Sequence, residues 1–523
     1  MHDLQHGADI GFTGNRHTTV ISNNHPSCLE HATALDDDIA TNLQEGVTIG
    51  PFTSNSIPFS HFRCSPLGVL VKPKPNGPPK VRRIHDLSFP RHQSVNLHIP
   101  ADYVAVSYPR LRDILDSVAA LGPGAHLSVA DVKSAFKHVP VSPADVPLLG
   151  FQWRGKYYFE VTLPFGLRSA PGLYDSLGAA VEWIMNQNSG AHLTTRFVDD
   201  FLFGSPSDSD PEASITHFLE LCATLGIQIA RDKITRGVTT CIYLGVEIDT
   251  VRQEARLPAD KLIALGQYLS TWLHKSKATL HDLQQLGGKL AWSSAVVPPG
   301  RTYTQHIYAL MSKLRHRHHH IRIPAAVRDD IGAWLYFLQH WNGTSMLTRR
   351  PLQHTVATDA SSLIGGGGYH EQSGRWFFIR WDTHHTSLAT DRDLHITWKE
   401  LYCVVVAAAT FGHAWRGHSV TILCDNTGAV GAITSRSTRQ PDMLQLIRLL
   451  IHIEAELDIH IHAQYIPGPQ NTIADHISRA RVMDARPLTY LLDEPCALPP
   501  VIESFESQLQ SKFYASILPR PRR

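Results

Sequence analysis

Residues 194–203 read TTRFVDDFLF, and the adjacent acids Asp199 and Asp200 inside this apolar run restrict the fold more than any other feature. In a strand, neighbouring side chains point to opposite faces, so a continuous strand would drive one carboxylate into a core. An unpaired buried carboxylate is costly. Either the chain turns here and leaves both acids solvated, or the acids bind cations. The apolar flanks on both sides predict a β-hairpin with the acids at its tip.

A third acid, Asp131, ends the apolar run HLSVAD at 126–131. Carboxylates from adjacent strands can hold two magnesium ions about 3.5–4 Å apart, the arrangement that phosphoryl transfer from a nucleoside triphosphate needs. Four further acids follow downstream: Asp359 (VATDAS), Glu400 (TWKELYCVV), Asp425 (TILCDN) and Asp475 (NTIADHISR). Asp359 and Asp425 close apolar strands, and Glu400 lies on an apolar helix, where an unpaired acid is expensive. Each acid alone has a plain alternative as a helix cap or a surface residue. Together they predict a second two-ion site, with water as the nucleophile.

Composition sets the class. The chain has 523 residues, 43% hydrophobic and 18% charged, which fits globular domains rather than disorder. Seven scattered cysteines form no Cys-x-x-Cys pair, so neither a zinc ribbon nor a disulfide framework is expected, and the thiols are expected to be reduced in an intracellular protein. No basic-then-apolar leader opens the sequence, and the apolar run at 401–411 is too short to span a bilayer, so no membrane partner is expected. The net charge of +1 favours no partner. Two local basic segments do: 61–100 with seven Lys/Arg, and 301–350 with eight, beside HRHHH at 316–320. They predict phosphate contacts or, equally, solvated surface.

Patterning predicts an α/β (α+β) multidomain chain. Residues 1–50 lack sustained periodicity and are expected to be a flexible extension. Strands near 126–131, 157–162, 194–203 and 241–248 alternate with helices at 110–120, 168–187 and 211–225 over 51–250. GVLVK and KVRRIHDL flank a Pro/Asn/Gly turn and predict a positively charged hairpin. Residues 251–350 are mostly helical. A second α/β pattern fills 351–480, and 481–523 form a tail without rhythm.

The order Asp131, LPFGLRSAP at 163–171, FVDD at 197–200, the lysine of IARDK and YLGVEI resembles the motif series of reverse transcriptases. The resemblance implies a right-hand polymerase with fingers, palm and thumb. It assigns metal binding to Asp131, Asp199 and Asp200, and makes Phe136 the aromatic that stacks under the sugar and excludes a ribose 2′-hydroxyl. Lys74 and Arg82 of the fingers hairpin would grip the triphosphate, Pro164, Phe165 and Gly166 would contact nucleotide and template, and Lys233 would protonate the pyrophosphate leaving group. Viral members often carry Gln where this chain has Phe165. The four later acids, with GGGGY after the first, resemble the ribonuclease H superfamily and imply a mixed five-stranded sheet. Thr358, Asn426, Asn471, Ser478 and Arg479 match the retroelement versions, in supporting roles. The stretch IPFSHFRCSPLGVLVKPK, IHDLSFPRHQSVN and LQQLGGKLAWSSAVVPPGR at 283–301 look most like DIRS-type retrotransposons, with gypsy-type LTR elements next.

The implied activity is RNA-directed DNA synthesis followed by hydrolysis of the RNA strand. It needs Mg2+ (Mn2+ can substitute), an RNA template, a DNA primer, deoxynucleoside triphosphates and the RNA–DNA hybrid. Two other readings compete: a domesticated or decayed element copy that binds nucleic acid without catalysis, and an RNA-directed RNA polymerase. All seven acids are present, against the first, and Phe136 opposes the second. No aspartic-protease, zinc-knuckle or integrase motif occurs, so those activities are expected from elsewhere or from a longer polyprotein.

Overall fold

The computed structural model describes residues 2–72, 80–103, 105–188, 192–340, 344–346, 352–381, 395–481 and 496. Lys74 and the tail beyond 481, Cys496 apart, lie outside them. The chain forms two compact units: Met1–Leu244 with Asp249–Arg252, and Gly245–Ile248 with Gln253–Arg523.

The first unit contradicts the expectation of a flexible residue 1–50 extension. Ala8, Ile10, Phe12, Cys28, Leu35 and Ile39 are all buried. Helix α1 (Ala32–Gln44) buries one apolar side, and β1 (Thr48–Phe52) pairs antiparallel with a later strand. The Ile10 N–H donates to the buried Asp145 carboxylate at 3.0 Å, which Arg16 also meets at 2.6 Å. Periodicity missed this segment because, before α1, its burial comes from single residues in loops and very short helices, and α1 itself buries only Leu35, Ile39 and Asn42.

The hairpin β2 (Leu67–Lys72) and β3 (Lys80–His85) is antiparallel, with Leu70 opposite Arg82. Alternation separates its two arginines. Arg83 turns inward onto Glu160 and Asp38, both at 2.8 Å, and over the Phe151 ring at 4.9 Å, while Arg82 is exposed. Arg63 is likewise buried, donating to the Gln93 carbonyl. The basic segment at 61–100 is therefore partly core structure.

Strand β4 (His126–Asp131) lies in a four-stranded sheet. Next in the chain come β5 (Gly150–Trp153), β6 (Lys156–Glu160), helix α2 (Ala170–Asn188), β7 (Leu193–Phe197), β8 (Asp200–Ser205), helix α3 (Ala213–Thr224) and β9 (Thr235–Val238). The site-bearing sheet runs β9-β4-β8-β7, and α2 and α3 pack their apolar residues with Phe201, Phe203 and Ala130. The hairpin expected from the flanks of the acid pair is present, turning at Val198–Asp199, whereas the single strand expected at 241–248 is broken by a turn at Leu244–Gly245.

In the second unit, helices α4 (Ala259–His274), α5 (Leu280–Ser293) and α6 (Ala325–His340) precede a mixed sheet. Its elements in chain order are β10 (Leu352–Ala360), β11 (Gly365–His370), β12 (Trp376–Arg380), helix α7 (Ile396–Phe411), β13 (Ser419–Cys424), helix α8 (Pro441–Leu457), β14 (His460–Tyr465) and helix α9 (Thr472–Ser478). The sheet order is β12-β11-β10-β13-β14, antiparallel up to β10 and parallel from there on. The sequence separates 251–350 from 351–480, but the structure groups both in one unit. The fully buried Asp330 of α6 explains why, because it binds Arg448 of α8 and His306 at 3.1 Å. Tyr336 adds a hydroxyl donation to Glu456 at 3.1 Å.

Among the described residues no helix is long and apolar enough to cross a membrane. The HRHHH tract is exposed.

Candidate active sites

The first carboxylate cluster is built by strand register. Phe197 and Asp200 face each other across β7 and β8, so Val198 and Asp199 form a two-residue turn. Such hairpins demand left-handed backbone, and Val198 adopts φ +58°, rare for a β-branched residue. On its other side β8 pairs with β4, placing Asp200 directly opposite Asp131. The Val132 N–H donates to the Asp199 carbonyl at 3.0 Å, and the Tyr243 hydroxyl donates to the Asp200 carbonyl at 2.9 Å. Main-chain bonds thus fix two strand acids, Asp131 and Asp200, and the turn that carries Asp199.

All three acids are half-buried. Burial raises the Asp199 carboxyl, with the Asp131 charge adding to it. Burial and then Asp199 and Asp131 push Asp200 up to about 6. The countercharge is Lys233, whose ammonium binds the Asp131 carboxylate and is itself raised by that bond. Its 3-10 turn is held by Ala230 N–H donation to the Asp131 carbonyl at 2.9 Å. Clustered carboxylate oxygens that raise one another suit a hard divalent cation such as Mg2+ or Mn2+.

The aromatic Phe136 follows Asp131 on a short 3-10 turn and is half-buried against Phe165 (5.1 Å between centroids) and Tyr174 (5.9 Å). The Pro164–Gly166 loop is held from outside its own sequence. Gly166 has φ +106°, and a Cβ there would run into the His85 carbonyl oxygen. The Asn96 amide donates to the Gly166 carbonyl at 2.7 Å and to Ser88 Oγ at 2.9 Å, and accepts from the Arg168 N–H at 2.8 Å. Neither Asn96 nor Tyr243 stands out in the sequence, because a lone Asn in a Pro-rich stretch and a Tyr in an apolar run carry no pattern.

The second cluster gathers at one end of the mixed sheet. Asp359 is the penultimate residue of β10, and Asp425 directly follows β13. Parallel register carries Ala357 opposite Leu423, so the two acids fall at the same level. Glu400 projects from α7 with 2% exposure, accepting from the Ala360 N–H at 3.1 Å and lying 3.7 Å from Cys424 Sγ. Glu400, Cys424 and Asp425 offer ligand atoms within 4.8 Å of one another. Asp475, on α9, binds Arg479 at 2.7 Å.

Burial, followed by the Asp359 and Asp425 charges, raises Glu400 to about 9, while burial first and Asp425 and Asp475 next raise Asp359 to about 6. Burial also raises Asp425, with Asp475 contributing. Supporting contacts come from Ser478, whose hydroxyl donates to Asp359, and from Asn471, whose amide donates to the Thr358 carbonyl at 2.9 Å. Asn426 caps a short helix by accepting from the Ala429 N–H at 3.0 Å.

Residues 80–248 match the family model described as reverse transcriptase (RNA-dependent DNA polymerase). The chain carries a reverse transcriptase domain. It is 25% identical over 55% of its length to the Gag-Pro-Pol polyprotein of Human T-cell leukemia virus 2, and covers 18% of that protein. It is 31% identical over 31% of its length to the retrovirus-related Pol polyprotein from transposon opus of Drosophila melanogaster, covering 14% of it. The transposon Tf2-3 polyprotein of Schizosaccharomyces pombe is 20% identical over 85% of the chain, which covers 30% of that protein. The chain thus spans a minor part of each of these polyproteins. Among solved structures, the foamy viral protease-reverse transcriptase dRH in complex with ds DNA aligns at 15% identity and a TM-score of 0.49, covering 87% of this chain and 72% of that one.

Proposed function

We propose that the reverse transcriptase domain synthesises DNA on an RNA template and that the second carboxylate cluster cleaves the RNA of the resulting hybrid, as a ribonuclease H. The observation that carries the polymerase reading is Asp200 in register with Asp131 at the tip of a strained two-residue turn. Asp131, Asp199 and Asp200 would hold Mg2+, or Mn2+ in its place, which neutralises charge on the triphosphate and lowers the pKa of the primer 3′-hydroxyl. Exposed Arg82 is suited to triphosphate oxygens. Phe136, on the turn after Asp131, would pack under a deoxyribose and exclude a 2′-hydroxyl. Lys233, already on Asp131, is positioned to give a proton to departing pyrophosphate.

The cleavage reading is supported by Asp359, Glu400, Asp425 and Asp475 at one end of a sheet ordered β12-β11-β10-β13-β14, with Ser478 and Asn471 behind them. Affiliation with DIRS-type elements is part of the proposal, supported by IPFSHFRCSPLGVLVKPK and LQQLGGKLAWSSAVVPPGR.

The test is extension of a DNA primer on a labelled RNA template with Mg2+, scored for product and then for template loss. Converting Asp199 and Asp200 to Asn is expected to abolish extension and spare cleavage of a preformed hybrid; Asp425→Asn is expected to do the reverse. Extension that survives the double change sinks the polymerase assignment. Efficient use of ribonucleotides by the unaltered chain would favour an RNA polymerase. Loss of both activities in the unaltered chain would favour a decayed copy.

A further inference from the structure

The end of the mixed sheet opposite the acids carries three histidines in contact. His354 lies near the start of β10, His370 ends β11, and His418 precedes β13. His354 Nδ1 is 3.1 Å from His370 Nε2, and His354 Nε2 is 3.2 Å from His418 Nδ1. His370 is 6% exposed, and its Nδ1 lies 2.6 Å from Ser373 Oγ. The Trp415 indole N–H donates to His370 Nε2 at 3.3 Å.

That indole decides every tautomer. An indole N–H can only donate, so His370 Nε2 is bare and its hydrogen sits on Nδ1, donated to Ser373. His354 Nδ1 faces the same bare nitrogen and must donate to it. His354 Nε2 is then left to accept from His418 Nδ1. Three neutral rings thus form one directed chain, and a proton added to His354 or His370 would set N–H against N–H. Burial, with His354 and Arg375 adding to it, holds His370 down to about 4; burial and then His418 lower His354. Glu371, next to His370, is raised by burial, and beyond His418 the His460 Nδ1 lies 3.8 Å from Glu454. Among the described residues no carboxylate bonds any of the three rings.

The chain sits where the pairing of the two acid-bearing strands begins. β10 and β13 run parallel with Leu352 opposite Ser419 and His354 opposite Val420, so β10 carries one extra residue at this end. From His354 to Ala357 the register is regular, and Asp359 and Asp425 each lie two residues past the Ala357–Leu423 pair. A slip of one residue would turn every β10 side chain to the other face. The His354–His418 bond spans the two strands at the irregularity, and the His354–His370 bond ties the same point to β11.

We propose that His418, His354 and His370 form a proton-sensitive register lock. Neutral, the chain holds β10 against β13 so that Asp359 and Asp425 stand level; protonated, it frees the bulged end and lets the strands shift. The three histidines are positioning residues, and the consequence at the acids rests on the cleavage reading above.

The experiment is hydrogen exchange read by mass spectrometry on the full chain at pH 7.5 and 5.5, corrected for the intrinsic rate at each pH. An ordinary histidine takes a proton near 6.5 and folded His370 only near 4, so the opened strand end binds more protons between these values. Protection is therefore full above 6.5 and falls as the pH drops toward 4. At pH 5.5 peptides spanning β10 and β13 should lose protection about tenfold, while α5 of the same unit holds within about twofold. His370→Gln offers Trp415 and His354 an acceptor and Ser373 a donor but takes no proton, so it should be protected equally at both pH values. His370→Leu should be poorly protected at both. It should also cut kcat for hybrid cleavage at pH 7.5 by about tenfold or more with KM little changed, because the acids lose their level. Equal protection of the unaltered chain at both pH values, an acid loss that persists in His370→Gln, or a loss shared by α5 overturns the lock. Full cleavage by His370→Leu overturns its link to the acids. An unaltered chain that cleaves no hybrid overturns the cleavage reading instead, and the exchange results still decide the lock.

Discussion

At the scale of single residues, what matters is how the protein handles charge it has buried. His85 shows this outside the acid clusters. It is 3% exposed, its Nε2 meets the Gly150 carbonyl at 3.1 Å, and burial lowers its pKa to about 4. The unfolded chain takes up a proton near 6.5 while the folded one refuses it until about 4, so the unfolded state binds more protons across that window. Stability is therefore full above 6.5 and falls as the pH drops toward 4. His85→Gln keeps a donor for Gly150 without the titration. Urea unfolding from pH 7 to 4 should show a shallower decline for the variant, by up to about 3 kcal/mol, and parallel curves would refute the account. Lys233 offers a second residue-scale prediction. If its ammonium supplies the leaving-group proton, Lys233→Ala should cut kcat by about 10²-fold with little change in KM. A rise in KM alone would make it a binding residue.

At the scale of elements, the contrast between what was legible in the sequence and what was not has a physical cause. Asp131, Asp199 and Asp200 announced themselves because acids at the ends of apolar strands are locally improbable. Helices at 110–120, 168–187 and 211–225 were visible because their apolar period is carried within one element, and the structure starts or ends them within a residue or two of those limits. The Asn96 latch, the Tyr243 donation and the inward turn of Arg83 were invisible because each depends on a partner dozens of residues away. The same holds for the glycines of β11, which the sequence offered only as a run. Gly367 lies against α9: a Cβ there would stand 2.5 Å from Ile477 Cγ2, two residues from Asp475. Strand and helix approach this closely only without a side chain between them. Gly367→Val should push α9 outward, destabilise the second unit by about 1–3 kcal/mol, and reduce hybrid cleavage while extension persists. Cleavage at the unaltered rate would show that α9 tolerates displacement.

At the scale of the whole molecule, the segment before residue 53 decides whether the first unit can stand at all. Ala8, Ile10, Phe12, Cys28, Leu35 and Ile39 are each no more than 6% exposed, and Ala8 bridges to Val141 while β1 covers β6 as the edge of a five-stranded sheet. Burying a large apolar side chain contributes roughly 1.5–3 kcal/mol. The three larger aliphatics and Phe12 together approach the whole net stability of a typical domain, roughly 5–15 kcal/mol. Removal of this segment would also leave Asp145 buried without Arg16 or the Ile10 N–H, a further cost of roughly 3–5 kcal/mol for a carboxylate stripped of its partners. Deleting residues 2–46 is therefore expected to abolish folding of the first unit, and with it primer extension, while the second unit keeps its own core around α7, α8 and β13. Circular dichroism and hybrid cleavage on the truncated chain check this directly. A truncated chain that unfolds cooperatively in its first unit and still extends a primer would return residues 2–46 to the status of a dispensable extension.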